Sequence, residues 1–161
     1  MIYKLALGDW SEDGHGILKE VLIECNCNDV VDIQNAYKAS CKKLGVQFND
    51  DEDYTGKNLP YGDPHFIWTE YGDSDMSVIA YDVLNKAGCF EGIDIEENDD
   101  GRYHIESIKG CVLEEHAKVI MNFIALSMPD DFTYQIIKKN YPCINGYWND
   151  NLNVQFGYGL F

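Results

Sequence analysis

Three carboxylates and an imidazole crowd into the segment Gly8-Asp9-Trp10-Ser11-Glu12-Asp13-Gly14-His15-Gly16, and the glycines at its edges let the backbone turn sharply around them. Hard cations are held by oxygen-rich loops of this kind. Asp9, Asp13 and His15 are therefore the candidate metal ligands, and one reading of the chain is a small metal-dependent enzyme or metal-binding module built on this loop. The set is incomplete, because no second histidine or carboxylate stands at an established ligand spacing. No metal or other cofactor is assigned on this basis.

Glu96, Asn98, Asp100 and Gly101 imitate the opening of an EF-hand calcium loop, with alternating oxygen ligands and a glycine at the sixth position. The imitation ends there. Ser107 occupies the twelfth position, Glu106 comes one residue early, and the flanking residues pattern as strands rather than helices. Cys25 and Cys27 are separated by one residue, not the two of a redox or zinc pair. His116, among Glu114, Glu115 and Lys118, reads as a solvated histidine. A phosphate-binding glycine loop, a serine nucleophile elbow and a His-Glu-x-x-His motif are all missing from the sequence.

Aromatic residues give a different kind of signal. Trp10 and Trp148 both sit in turn-forming sequence next to acids, as Asp9-Trp10 and Trp148-Asn149-Asp150. A ring with a polar tip can dominate a protein interface. Asp9, Trp10, Glu12, Asp13, Trp148 and Asp150 are accordingly the expected partner-binding residues, and the two turns are expected to share a rim.

Acids outnumber bases 28 to 12, giving a formal net charge of −16. Such a chain repels nucleic-acid phosphates and anionic lipid headgroups and attracts basic proteins. Acidic loops also keep proteins soluble, which is the plainer reading of the same charge. The expected partner is a basic protein, with no direct nucleic-acid contact and no membrane, and oligomeric state is not legible. No run of residues approaches the roughly 20 apolar positions of a membrane span, and the first residues lack the apolar core of a signal peptide. A cytoplasmic location and six reduced thiols (Cys25, Cys27, Cys41, Cys89, Cys111, Cys143) are the resulting expectations.

This profile of a small, acidic, free-thiol chain resembles that of bacterial immunity proteins and phage-type inhibitors of defence nucleases. The resemblance lies in overall character rather than in a shared motif. It implies a non-enzymatic inhibitory protein that covers a basic surface on a nuclease or toxin.

The elements that would position these residues follow from periodicity. A single domain over 1–161 is expected, with a core large enough to need no disulfide or metal. Ile2 to Leu7 and the alternating Ile17 to Cys25 read as strands. Asp29 caps a helix with the stripe Val30, Ile33, Tyr37, Cys41 and Leu44, closed by Gly45. Turn formers dominate 46–73, leaving one short strand at Phe66-Ile67-Trp68. A second helix starts from Ser74, buries Met76, Ile79, Ala80, Val83, Leu84 and Ala87, and stops at Gly88. Ile93, Ile95, Tyr103 and Ile105 flank Asn98-Asp99-Asp100-Gly101 as a hairpin. A third helix carries Leu113, Ala117, Ile120, Ile124 and Met128 and ends at Pro129. Phe132 to Ile137 and the Val154-to-Leu160 stretch complete the strands. The fold class is α+β: a mostly antiparallel sheet with about three helices packed on one face.

Overall fold

The computed structural model describes residues 1–7, 17–45, 66–67, 79–104, 107–109, 113–137 and 143–145. The described elements are an α+β mix. Strand β1 is Ile2–Leu7 and β2 is Ile17–Cys25. Helix α1 is Val30–Lys43, β3 is Phe66–Ile67, and α2 is Tyr81–Lys86. Helix α3 is Leu113–Ala125, β4 is Tyr134–Ile137, and β5 is Cys143–Asn145.

The alternation in the first two strands sets their register. β1 and β2 pair antiparallel from Ile2↔Glu24 to Leu7↔Lys19, which puts Tyr3 beside Ile23 and Leu5 beside Val21 on one face. All four are fully buried. Lys4 and Leu22 pair on the opposite face and are also buried, so the middle of the sheet is closed to water on both sides. The outer edge of β2 is shared: β4 pairs antiparallel with Leu22–Cys25 and β5 with Ile17–Lys19. β3 adds to β1 in parallel, through Lys4↔Phe66 and Leu5↔Ile67. That pairing is the exception among the described strand pairs: β2 runs back along β1, and β3, which follows α1 in the chain, runs with β1 again.

Helix α1 forms as its sequence predicts. The Asp29 carboxylate accepts from the Val31 N–H at 2.9 Å, satisfying one of the free donors of the first turn. Gly45 ends the helix at φ 76°, where a side chain would strain the backbone. Val30, Ile33, Tyr37 and Cys41 are buried. Helix α3 packs against α1, with the Tyr37 and Phe123 rings edge to face at 5.5 Å.

Two expectations between residues 74 and 109 are corrected. The second helix begins only at Tyr81, because Ala80 is extended (φ −58°, ψ 135°) and bridges antiparallel to Arg102. Tyr81 N–H donates to the Gly101 carbonyl at 2.8 Å, so the backbone that would have opened an earlier helix is spent on pairing. Ile79 is buried as its place in the stripe suggested, but from a bend, and Ala80 is exposed. Ser74 and Met76 lie outside the described residues. Gly88, at φ 81°, does close the helix.

The Asn98–Gly101 turn forms, with Gly101 N–H on the Asn98 carbonyl at 2.9 Å and φ 69° at the glycine. The hairpin does not. Ile95 pairs with Ile108 instead of a residue just past the turn, and Arg102 turns away to Ala80. The Asn98 amide donates to Ser107 Oγ at 2.6 Å, and Ser107 N–H closes a second turn on the His104 carbonyl at 2.9 Å. The chain thus makes two turns before it meets Ile95 again.

The expectation of a solvated His116 is also overturned. His116 is fully buried, and its Nδ1 lies 2.5 Å from the Tyr103 hydroxyl. Its ring stacks on Tyr103 at 5.8 Å, Tyr103 meets Phe90 at 5.5 Å, and Phe90 meets Tyr81 at 5.1 Å. A ladder of rings therefore joins α2 to α3. The acidic neighbours Glu114 and Glu115 are half-buried beside it.

β4 starts two residues later than the Phe132-to-Ile137 segment. The Val154-to-Leu160 stretch is outside the described residues, and β5 had no alternating pattern to announce it. Among the described residues no helix is long and apolar enough to cross a membrane.

Candidate functional site

Asp9, Trp10, Glu12, Asp13, His15, Trp148 and Asp150 all lie outside the described residues. Ile17 and Asn145, the described residues nearest in the chain to His15 and Trp148, are register partners in the sheet. Among the described residues no group of three or more His, Cys, Asp and Glu side chains is arranged to hold a metal ion. Cys25, Cys27, Cys41 and Cys89 are free thiols, three of them buried and Cys27 half-buried. Burial pushes the Cys89 thiol up to about 12 and raises Cys25 as well.

Two acidic features remain in the described structure. The first is the loop 94–101, in which Asp94, Glu96, Glu97, Asp99 and Asp100 are exposed. Its shape is fixed from within. Asp100 accepts from the Arg102 N–H at 3.0 Å and lies 2.9 Å from His104 Nε2. Those hydrogen bonds, the histidine's first, hold its carboxyl below the usual range. Lys109 reaches Asp94 at 3.1 Å and Glu96 at 3.8 Å. Of the side chains that sequence aligned with a calcium loop, Asn98 donates its amide nitrogen to Ser107, Asp100 accepts from Arg102 and meets His104, and Glu96 faces Lys109, while Glu97 and Asp99 are exposed.

The second feature is an open cleft of about 560 Å³ between α1 and the connection from α3 to β4. Its α1 side is one helical face, Asp32, Asn35, Ala36 and Ala39, spaced three, four and seven residues from Asp32. Ser127, Met128, Pro129, Asp131 and Phe132 line the other side, and Asn26 and Cys27 complete it from the β2–α1 connection. The walls are tied together across long sequence separations. The Asn26 side chain donates to the Asp131 carbonyl at 2.7 Å and accepts from Thr133 N–H at 2.9 Å. Ser40 Oγ and Ser127 Oγ are 2.8 Å apart, and Lys43 Nζ donates to the Leu126 carbonyl at 2.9 Å. Phe132 stacks on Tyr134 at 6.2 Å.

Two carboxylates, Asp32 and Asp131, both exposed, stand among these walls, and no Lys, Arg or His is among the described lining residues. The rest of the lining combines amides, a thiol, small alanines, a thioether and a ring. Such a surface suits an organic cation with an apolar stem. Sequence reasoning passed over it because its two sides come from segments about a hundred positions apart, well beyond any local pattern. The one available signal was the stripe of short side chains on the outer face of α1, where long charged residues are usual.

No family model matches the chain, and neither a curated protein nor a solved structure is significantly similar to it.

Proposed function

We propose that this is an acidic, non-enzymatic binding protein that covers a basic surface on a protein partner, in the manner of an inhibitor of a nuclease or toxin acting in the cytoplasm. The observation that supports it most is the placement of its charge. Glu24, Asp29, Asp32, Asp82, Glu91, Asp94, Glu96, Glu97, Asp99, Asp100, Asp130 and Asp131 are exposed, and Glu114 and Glu115 are half-buried. An acidic field of this size speeds encounter with a basic surface and falls away as salt screens it. The loop 94–101 presents Glu97 and Asp99 on a backbone held by its own hydrogen bonds, so their positions cost little ordering on contact. Asp9, Trp10, Glu12, Asp13, Trp148 and Asp150 form the anchoring patch in this reading.

Partner capture at about 50 and about 500 mM salt tests the proposal. Association with the captured partner slows at least roughly tenfold at the higher salt, and Glu97→Lys with Asp99→Lys slows it further at low salt. An association rate that ignores both changes overturns the steering role.

A further inference from the structure

We infer that the cleft between α1 and the α3–β4 connection is a socket for an arginine side chain projecting from the basic partner. This rests on the reading above only for the origin of the arginine, since the fit itself is a matter of the cleft. The volume of about 560 Å³ is ample for one long side chain. The apolar stem of arginine packs on Ala36, Ala39 and Met128, and its planar guanidinium stacks on the Phe132 ring while it meets Asp32 and Asp131. No described residue of the lining carries a competing positive charge.

The socket is also preformed. Asn26 bonds both the Asp131 carbonyl and the Thr133 N–H, Phe132 N–H bonds the Pro129 carbonyl at 2.9 Å, and the Ser40–Ser127 contact fixes the start of the turn. A cavity that keeps its shape when empty spares the ordering cost that an induced site incurs on binding. A long basic side chain uses the apolar, aromatic and acidic parts of the lining at once: stem on the alanines and methionine, plane on the ring, charge on the two acids.

The test is a titration of the full chain, followed by NMR, with N-acetyl-arginine methylamide and with its uncharged citrulline analogue. The arginine compound is expected to shift the signals of Ala36, Ala39 and Met128 with a dissociation constant on the order of 1 mM, and the citrulline compound to bind at least roughly tenfold more weakly. Asp32→Asn with Asp131→Asn is expected to abolish the response. Glu97→Gln with Asp99→Asn removes the same charge from the other acidic loop and is expected to preserve it. Ala39→Met, an exposed helical substitution that fills the cleft, blocks binding without relying on a charge change. Equal shifts from citrulline, an unchanged response in the Asp32/Asp131 or Ala39 variants, loss of the response in the Glu97/Asp99 variant, or no response at all would each overturn the socket. No partner enters this measurement, so a failed partner assay and a failed socket are separately visible.

Discussion

Helices α1 and α3 are nearly the same length, yet they stand in opposite relations to water. On α3, His116, Ala117, Val119, Ile120, Met121, Phe123 and Ile124 are all buried, so burial runs around most of the helix. On α1 the buried set is one-sided, and Asp32, Asn35, Ala39 and Lys42 face out. A wrapped helix supplies stability and little surface. A one-sided helix has a free face, and here that face is a wall of the cleft. Substitutions on the two helices should therefore read out differently, stability for α3 and recognition for the outer face of α1.

The sharpest way to break this contrast is Phe123→Ala, which removes a fully buried ring and its edge-to-face contact with Tyr37. A loss of about 3–5 kcal/mol in urea unfolding is expected, with Ile120→Ala, Ile33→Ala and Ile79→Ala in the range of about 2–5 kcal/mol. A loss under about 1 kcal/mol at Ile120 would mean that α3 is not wrapped.

Thiol chemistry separates the two sides next. Cys27 lines the cleft, whereas Cys89 is fully buried, offers its carbonyl to Asn122 of α3, and has its thiol pushed up to about 12 by burial. In the native protein near pH 8, mass spectrometry after iodoacetamide should show Cys27 alkylated at least roughly a hundredfold faster than Cys89. Comparable rates would place the two thiols in the same environment.

Tyr103→Phe tests how α3 accommodates its histidine. It removes the hydroxyl that meets His116 Nδ1 while keeping the ring ladder, and about 1–3 kcal/mol should be lost. A smaller effect is expected at the start of α1, where Asp29→Ala deletes the cap on Val31 and costs about 1 kcal/mol. The smallest belongs to the outer face: Asp32→Asn should move the thermal midpoint by no more than the equivalent of about 0.5 kcal/mol. A large loss there would make the α1 face structural and remove the basis of the contrast.

The same contrast explains what could be read from the sequence. Helix α1 and the β1–β2 pairing were legible because each carries its instructions locally: Asp29 at one end, Gly45 at the other, and an alternation that fixes which residues face inward. His116 was misread because its neighbours Glu114, Glu115 and Lys118 suggest a wet surface. Instead His116 packs on Tyr103, which comes from a separate segment and is itself backed by Phe90. The supposed hairpin failed for a related reason. Asn98–Gly101 specifies a turn but not its partners, and the Asn98–Ser107 bond and the Ala80–Arg102 bridge redirected both arms. The parallel β3 pairing joins Lys4 to Phe66 and Leu5 to Ile67, partners too far apart in the chain for any short pattern to encode. The cleft shares that origin, being a product of two distant connections, whereas the acidic and aromatic residues singled out first lie outside the described residues.

One side chain ties the β2–α1 connection to the opposite wall of that cleft through two hydrogen bonds. Asn26 touches the α3–β4 connection through both its amide nitrogen and its amide oxygen. Replacing it with aspartate keeps the shape but turns the donor that faces the Asp131 carbonyl into an acceptor, so attraction becomes repulsion across the same gap. The Asn26 amide nitrogen is thus one of the ties that set the width of the cleft, beside the Ser40–Ser127 and Lys43–Leu126 contacts. Selection, or an engineer, can retune the grip on a cation there while leaving both carboxylates in place.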